Sequence, residues 1–404
     1  MIDTDYYYKL SKCVRCGSCK SACPTYLTTL NETMGARGRI AMLDGLVKKR
    51  LKPSKELAEK IFSCMLCGAC KNQCPTGIDI PEIIYHGRTL LKKSYRKGRF
   101  LRTALKYSIS RLDTLLSILR VGQKLFYRPL QKAGMLRYVP EITSTPFKKR
   151  VQVKKYINKI SRIIIFAGCG VNYFYPELGD ALSSILVTKG YEVVVFGGEV
   201  CCGAPLRSIG LEKEASKLAK KNIEHFNKVR ADAIVSLCPT CTMSIKEQYP
   251  IIAGSTITNI MDINEFIIKY GIAEGLEIDP MTVTYHDPCH LSNGLGIRDE
   301  PRHILKSIKG IELVEMKNAN DCCGFAGLFS SHFKEISKSI GRKKIGSISD
   351  TSAGTVVTSC PGCILQLENM KKEMGVDFSV RHVVEIIDEA MHGYLQLRIT
   401  NYEI

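Results

Sequence analysis

The chain of 404 residues contains 18 cysteines, and all of them fall into four groups with regular spacing. Two groups near the beginning share the pattern Cys-x-x-Cys-x-x-Cys-x-x-x-Cys-Pro. In the two later groups a single cysteine is followed by a Cys-Cys pair after 31 or 32 residues, and by Cys-x-x-Cys after a further 35 or 36. Thiolates are the soft ligands that zinc and iron–sulfur clusters select. The cysteines therefore predict two kinds of metal centre.

The first two groups have the spacing of the bacterial ferredoxin motif, in which the fourth cysteine of each group binds the cluster of the other. This spacing predicts two cubane 4Fe-4S clusters. The ligands of the first would be Cys13, Cys16, Cys19 and Cys74, and those of the second would be Cys64, Cys67, Cys70 and Cys23. The alternative is a zinc knuckle in each group, which two complete sets of ligands with the same spacing disfavour.

The other ten cysteines form an internal repeat, because each member of the second group lies 120 to 122 positions after its counterpart in the first. The first copy consists of Cys169, Cys201, Cys202, Cys238 and Cys241. The second copy consists of Cys289, Cys322, Cys323, Cys360 and Cys363. Ten cysteines would not fall into this register by chance, so the repeat predicts two similar domains.

Each copy has one cysteine more than a cubane cluster uses. Neighbouring side chains of an extended chain point to opposite faces, so the Cys-Cys pair can bind one centre only if the chain turns there. Gly203 and Gly324 follow the two pairs directly and permit such a turn. The alternative for each copy is a four-cysteine zinc site with a spare thiol.

Buried strands precede the cysteines of both copies. We predict strands at 162–167, 191–196 and 233–237 in the first copy, and at 283–285, 311–316 and 355–358 in the second. A helix is predicted at 176–189, where Gly190 follows as a C-terminal signal. Because the carboxyl ends of parallel strands meet at one edge of a sheet, this order gathers five thiols at one edge of each copy.

The N-terminal cysteines are separated by stretches with apolar residues at helical spacing, at 38–43 and 56–62. The predicted fold class is therefore α+α/β: a helical ferredoxin-type domain followed by two repeated α/β domains. We expect a helical domain with two 4Fe-4S clusters at 1–91, a basic helical linker at 92–156, and two cysteine-rich domains at 157–275 and 276–404.

The linker contains 18 lysines and arginines and only two acidic residues. It either packs on its own domains with solvated charges or presents an amphipathic face to a membrane surface or a partner. No helix-turn-helix, zinc-finger or RNA-binding signature accompanies the charge, so we expect no nucleic-acid partner. The chain begins without a signal-peptide pattern and has no long apolar run, which predicts a cytoplasmic protein, soluble or peripheral on the cytoplasmic face of the membrane.

The two cysteine patterns together resemble the D-type subunit of heterodisulfide reductases, with their CCG cysteine-rich domains, over residues 13–88 and 162–390. The resemblance implies one non-cubane 4Fe-4S cluster for each repeat, bound by its five cysteines and acting on disulfide or thiol substrates. The cofactors would then be two cubane and two non-cubane clusters. The ten cysteines of the repeats would be the catalytic groups, in anaerobic metabolism such as methanogenesis.

The implied activity moves electrons from the cubane clusters to the non-cubane clusters, which reduce a small-molecule disulfide of the CoM-S-S-CoB type or oxidise the thiols. The alternative is an electron-transfer subunit of an FAD-linked glycolate, lactate or glycerol-3-phosphate dehydrogenase that feeds quinone, because those subunits share the architecture. They often lack a cysteine of the last pair, so the intact Cys360-Pro-Gly-Cys363 favours disulfide chemistry. A third and weaker class is a subunit of a larger electron-bifurcating or ring-reducing complex.

No dinucleotide-binding fingerprint is present, so we expect the electrons to come from another subunit. The resemblance implies a flavoprotein, a cytochrome b-type membrane subunit, or both, in a hetero-oligomeric complex. In the phrase His286-Asp-Pro-Cys-His290, both histidines are candidates for hydrogen bonding beside a cluster rather than for ligation.

Overall fold

The computed structural model describes residues 4–108, 112–127, 140–150, 161–195 and 197–402. The chain divides into two compact units. The first consists of Met1–Ser110, Gly203–Ser216 and Asp321–Lys344, and the second of Arg111–Cys202, Lys217–Asn320 and Ile345–Ile404. The first unit therefore contains the ferredoxin-type domain together with two short segments from the repeats. The sequence-based domain boundaries stay a prediction.

The N-terminal part of the first unit is helical, as predicted. Its α-helices are Thr4–Ser11, Pro24–Thr29, Ala36–Val47, Lys55–Phe62, Ala69–Asn72, Ile80–Leu91 and Arg99–Ser108, with 3-10 turns at Ser18–Lys20 and Glu32–Met34. Ser54 and Asp79 cap two of these helices by accepting hydrogen bonds from the backbone N–H groups of Leu57 and Glu82. Local capping signals thus place the helix starts that flank the second group of cysteines.

The core of this domain is formed by apolar side chains at helical spacing, including Leu43, Ile61 and Ile84. Helices Ala36–Val47 and Ile80–Leu91 pack closely at Gly87, where a Cβ atom would lie 2.7 Å from the Leu43 side chain. This packing brings the chain on either side of both cysteine groups into one compact domain.

Two segments from the repeats complete the first unit, with short helices at Ala204–Ser208 and Phe329–His332. Gly210 adopts a φ of +80° against helix Ile80–Leu91, and a Cβ atom there would lie 2.7 Å from the carbonyl oxygen of Arg88. A side chain at this position would be strained and would clash with backbone, so glycine is required for the close approach.

The second unit contains two four-stranded parallel sheets with the same topology. The strands of the first are β1 Arg162–Phe166, β2 Glu192–Val195, β3 Ala233–Ser236 and β4 Ile260–Asp262, in the order β2-β1-β3-β4. Those of the second are β5 Glu277–Tyr285, β6 Lys309–Leu313, β7 Thr355–Thr358 and β8 Ser379–His382, in the order β6-β5-β7-β8. The shared strand order confirms the internal repeat and the α+α/β fold class.

Five of the six predicted strands overlap observed ones, and the sixth does so up to Val195, since residue 196 lies outside the described residues. The fourth strands of the two sheets were not predicted. The helices of the linker and the repeats include Leu112–Gly122, Phe147–Arg150, Gly168–Tyr173, Pro176–Thr188, Glu212–Lys228, Pro239–Met243, Tyr249–Ala253, Ile263–Lys269, Glu300–Ser307, Lys334–Ser349, Pro361–Met374 and Val383–Tyr402.

The two sheets share one hydrophobic core, in which Ile165 of β1 and Val283 of β5 are both fully buried. Polar contacts also join the repeats. The imidazole Nε2 of His382 lies 3.1 Å from the carbonyl oxygen of Leu237, at the end of β3. Strand ends of both repeats are thus held together within the second unit.

Of the predicted linker at 92–156, residues 109–111, 128–139 and 151–156 lie outside the described residues. The described part includes helices Arg99–Ser108 and Leu112–Gly122, which continues into a π-helical turn at Gln123–Tyr127. Leu116 is buried, whereas Ile118 is exposed at 66%. No helix in the described part of the chain is long and apolar enough to cross a membrane.

Candidate iron–sulfur centres

The cysteines predicted to bind the first cubane cluster surround one cavity, whose lining includes Cys13, Cys16, Cys19 and Cys74. Three of them come from the first group and one from the second, which is the exchange that the spacing predicts. Gly17 has a φ of +92°, a conformation that glycine adopts readily, and allows the chain to turn between two of the ligands. The residues present fit a cluster with four thiolate ligands.

The thiols around this cavity differ in environment. Burial raises the pKa of Cys19, whereas a hydrogen bond from the Ser18 side chain lowers the pKa of the exposed Cys16. Two arginines also line the cavity: Arg15 is exposed, and Arg37 is paired with Glu32 at 2.7 Å. This edge of the domain is therefore open to solvent.

The cysteines predicted to bind the second cubane cluster are more deeply placed. Cys23, Cys67 and Cys70 are buried and Cys64 is half-buried. Burial raises the pKa of Cys70, and repulsion from the thiolates of Cys67, Cys64 and Cys23 raises it further, so these four sulfur atoms lie close together. Metal binding requires thiolates and displaces these protons.

Two buried arginines beside the second set were not predicted from the sequence. Arg39 is exposed by only 1% and Arg88 by 4%. The guanidinium of Arg39 lies 4.0 Å from Sγ of Cys23, and that of Arg88 donates to the carbonyl oxygen of Cys64. The sequence contained a signal for both, because each arginine lies on the apolar face of a helix. Arg39 lies in the predicted helical stretch at 38–43, and Arg88 lies in the helix that Asp79 caps.

The five cysteines of the first repeat converge at the carboxyl edge of β1, β2 and β3, where the topology predicts a site. Sγ of Cys201 lies 3.9 Å from Sγ of Cys169. Hydrogen bonds with the thiols of Cys202 and Cys238, together with burial, raise the pKa of Cys241. A hydrogen bond with Cys201, together with burial and the charges of Cys201 and Cys238, raises the pKa of Cys169. The five thiols can therefore bind one centre.

Glycine and polar contacts allow this approach. Gly168 has a φ of +58°, and a Cβ atom there would lie 2.9 Å from Sγ of Cys241. Its N–H group donates to the buried carboxylate of Glu199 at 3.0 Å, which also pairs with Lys148 at 3.2 Å. Glu199 holds the loop before the Cys-Cys pair against the end of β1.

The Cys-Cys loop is further held by Asn222. Its side chain accepts a hydrogen bond from the N–H group of Val200 at 2.9 Å and donates to the carbonyl oxygen of Val200 at 3.1 Å. Gly203 follows with a φ of +88°, and Gly324 of the second repeat has a φ of +92°. Both glycines therefore make the turns expected after the Cys-Cys pairs.

The cysteines of the second repeat fall in both compact units. Cys289, Cys360 and Cys363 belong to the second unit, whereas Cys322 and Cys323 begin the segment Asp321–Lys344 of the first. All but Cys289 are buried. Their assembly into one centre stays a proposal.

The Cys-x-x-Cys motifs of the two repeats contact each other. The thiol of Cys360 forms a hydrogen bond with the sulfur of Cys238. A hydrogen bond from Cys241, together with this one from Cys360, lowers the pKa of Cys238. Beside them, the hydroxyl of Thr240 lies 2.7 Å from Nδ1 of His290. His290 therefore hydrogen-bonds across the two repeats.

His286 is fully buried, and neither of its ring nitrogens has a hydrogen-bond partner among the described residues. A buried imidazole without a partner is costly, so a ligand or water is expected to satisfy it. The expected role of His286 beside a cluster stays a prediction.

Comparison with protein families agrees with this architecture. The model of the family described as "CCG: Cysteine-rich domain" matches residues 163–246 and 283–368. The model of the family described as "4Fe-4S dicluster domain" matches residues 9–78. The residues matched contain all eight cysteines of the first pattern and all ten of the second.

Curated relatives cover nearly the whole chain. A fumarate reductase (CoM/CoB) subunit of Methanothermobacter marburgensis is 31% identical over 95% of this chain and 72% of its own. The probable glycolate oxidase iron-sulfur subunit of Bacillus subtilis is 28% identical, with 95% and 94% covered. A dihydromethanophenazine:CoB–CoM heterodisulfide reductase subunit of Methanosarcina acetivorans is 27% identical, also with 95% and 94% covered.

Among solved structures, a hypothetical protein from Helicobacter pylori has a TM-score of 0.55 and 12% identity, over 96% of this chain and 73% of that one. At this identity the likeness shows the fold alone.

Proposed function

Since the chain belongs to the family of iron–sulfur proteins that join a 4Fe-4S dicluster domain to two CCG cysteine-rich domains, we propose that it couples one-electron transfer to disulfide and thiol chemistry. The chain is an iron–sulfur electron-transfer subunit of the heterodisulfide reductase or glycolate oxidase type. In the proposed reaction a disulfide takes up two electrons and two protons and gives two thiols, or the reverse occurs. The substrate is a small-molecule disulfide of the CoM-S-S-CoB type.

The observation that carries this proposal is the contact between Cys238 and Cys360, one from each repeat. A disulfide has two sulfur atoms, and its reduction leaves two fragments that must both be held. Two cysteine sites that meet across the repeat interface suit such a substrate better than a single buried site. The intact Cys360 and Cys363 add support, as does the relative whose name includes CoM and CoB.

The proposed cofactors are two cubane and two non-cubane 4Fe-4S clusters. The first cubane is assigned to the four cysteines around the N-terminal cavity and the second to the buried set beside Arg39 and Arg88. Each non-cubane cluster would be bound by the five cysteines of one repeat and would supply iron that binds substrate sulfur. The protein's part is to bring the thiolates together and to exclude water, as the burial of most repeat cysteines indicates.

The proposed partners are a flavoprotein, a cytochrome b-type membrane subunit, or both, in a hetero-oligomeric complex located in the cytoplasm or on the cytoplasmic face of the membrane. The named relatives are subunits of oxidoreductases. This chain would exchange electrons with the partner at the exposed edge near Cys16 and with the substrate at the repeats.

A second candidate function is electron transfer from a flavoprotein dehydrogenase to quinone without disulfide chemistry. The probable glycolate oxidase iron-sulfur subunit favours it, because 94% of that relative is covered at 28% identity. In this function the centres of the repeats need no open iron site.

The test is the response of the reduced, anaerobically purified protein to CoM-S-S-CoB and other mixed disulfides, followed by EPR. In the proposed function the disulfide changes the signal of the wild type but not of Cys202→Ser or Cys323→Ser, whose cubane signals remain. Cys16→Ser is the converse control, because it should alter a cubane signal and keep the disulfide response. No response to any disulfide, with rapid electron uptake from a 2-hydroxyacid flavoprotein, would favour the second candidate.

A further inference from the structure

Two arginine side chains are buried beside the second set of N-terminal cysteines without a carboxylate partner. Arg39 and Arg88 are almost fully buried, and among the described residues neither forms an ion pair. A buried charge is costly unless an opposite charge lies near it. The two buried arginines therefore indicate that an anion lies near them, and that this anion is not a carboxylate of the described residues.

The hydrogen bonds of Arg39 all go to neutral groups. Its guanidinium donates to the carbonyl oxygens of Lys60 at 2.9 Å and Ser63 at 3.0 Å, and to the hydroxyl of Thr25 at 3.0 Å. These bonds hold Nη1 at 4.0 Å from Sγ of Cys23. The nearest group that can carry a negative charge is thus a predicted cluster ligand.

Arg88 is fixed beside another cysteine of the same set, Cys64. Its guanidinium donates to the carbonyl oxygens of Cys64, of Phe62 at 3.1 Å and of Ser208 at 2.6 Å. It also lies over the Phe62 ring, 5.3 Å from its centroid. Backbone carbonyls and an aromatic ring fix the position of this cation, and its charge is felt by the thiolate of Cys64.

We propose that Arg39 and Arg88 are the fixed counter-charges of the second cubane cluster and make it easier to reduce than the first. The inference rests on the proposed function, since it assumes that both cubane clusters are bound. A cluster with four thiolate ligands is an anion, and reduction adds one more negative charge to it. Fixed cations in a low-dielectric interior stabilise the reduced form more than they would in water.

The first cluster lacks this arrangement. The cations at its cavity are not buried: Arg15 is exposed, and Arg37 is paired with Glu32, whose carboxylate Lys20 shares at 3.4 Å. Burial alone would make the second cluster harder to reduce, because it disfavours added charge. The two buried cations act in the opposite direction, and because water screens them less than the exposed cations of the first cavity, they set the order of the two potentials.

This order gives electron flow a direction within the first unit. Arg88 donates to Ser208, which lies in the segment Gly203–Ser216 that follows Cys201 and Cys202 in the chain. Thr89, the next residue of the helix, donates to Glu212 of the same segment at 3.1 Å. Electrons would enter at the exposed first cluster and collect at the second, which is the one attached to this segment.

The test is potentiometric EPR of the holoprotein, with the two cubane signals assigned by Cys16→Ser and Cys64→Ser. In Arg39→Gln and Arg88→Gln we expect the ratio of reduced to oxidised second cluster at a fixed potential to fall about tenfold, which is about 59 mV for one electron. Arg39→Lys and Arg88→Lys keep the charge and should keep most of the potential. Arg37→Gln is the matched control and should leave the second cluster unchanged.

The wild type supplies a second measurement that does not depend on the folding of any buried variant. A first cluster that is reduced at a higher potential than the second would overturn the inference. So would Gln variants with loaded clusters and unshifted potentials, and neither result would affect the disulfide response. Absence of cubane signals altogether would instead contradict the proposed function.

Discussion

The guanidinium of Arg207 donates to the carboxylate of Glu82 at a distance of 2.5 Å, with side-chain exposures of 1% and 17%. Arg207 also lies over the ring of Tyr85, 4.3 Å from its centroid. The pair attaches the segment that follows Cys201 and Cys202 to helix Ile80–Leu91 within the first unit. It therefore holds a segment of the first repeat to the ferredoxin-type domain.

Glu82→Gln should loosen this segment. Removing one partner of a buried ion pair costs about 3 kcal/mol, because the other charge stays buried. Glu212 lies 3.6 Å from Arg207 and compensates only in part. We expect amide hydrogen exchange in residues 203–216 to become about 100-fold faster, since about 1.4 kcal/mol is tenfold. The exposed Glu335→Gln is the control, and equal exchange in both variants would contradict the role of the pair.

Iron analysis tests the number of clusters. Four 4Fe-4S centres contain about sixteen irons per chain. Protein purified under anaerobic conditions should approach this value with little zinc. About eight irons together with zinc would leave the cubane clusters in place and remove the proposal of two non-cubane clusters.

Gly168→Ala should remove the centre of the first repeat alone. The new Cβ atom would lie 2.9 Å from Sγ of Cys241, at a φ of +58° that costs a non-glycine residue about 1 to 2 kcal/mol. Iron should fall from about sixteen to about twelve per chain, with the cubane EPR signals unchanged. Gly170→Ala is the matched control, because its Cβ would meet only Pro361 at 3.6 Å. Full iron in both variants would show that the five thiols do not need this close approach.

Asp262 should make the second unit less stable as the pH rises. Burial raises its pKa to about 7, and Oδ2 has no hydrogen-bond partner among the described residues. An unfolded aspartate ionises near 3.9, so the stability that protonated Asp262 provides is complete below that pH and is lost as the pH rises towards about 7.

Asp262→Asn keeps an acceptor for the N–H group of Asn264, because asparagine is a good helix N-cap. At pH 8 the midpoint of thermal unfolding should therefore rise by about 5 °C, from a gain of about 2 kcal/mol. At pH 5 the difference should be smaller. The exposed Asp377→Asn should show neither effect. A variant that is destabilised equally at both pH values would refute the prediction.

The basic linker should bind anionic vesicles in a salt-dependent manner. Residues 92–156 contain 18 basic and two acidic residues, and the apolar Ile118, Val121 and Leu125 lie exposed on one face of its helix. Exposed charges are screened within ~8 Å at physiological ionic strength. The fraction of protein that sediments with the vesicles should fall as the salt concentration rises. It should fall more steeply in the variant that has serine at all three positions. Leu51→Ser is the control, and salt-independent sedimentation would contradict an electrostatic contribution.

Much of the fold follows from local signals. The strands that precede Cys169, Cys238, Cys289 and Cys360 were predicted because runs rich in β-branched residues end with one to three residues between them and a cysteine. Strands β4 and β8 were missed because they are short and no cysteine follows them. Their place at the edge of each sheet comes from packing against β3 and β7, which a sequence pattern does not contain.

By itself, the sequence determined the composition of the candidate centres and the repeat of the α/β domains, because ligand spacing and hydrophobic periodicity are local properties of the chain. The tertiary structure alone decided which distant groups meet. Arg39 and Arg88 are 49 positions apart in the sequence, and Cys238 and Cys360 are 122 apart. The members of each pair lie near each other because helix and sheet packing, rather than sequence spacing, sets the distance between residues from different elements.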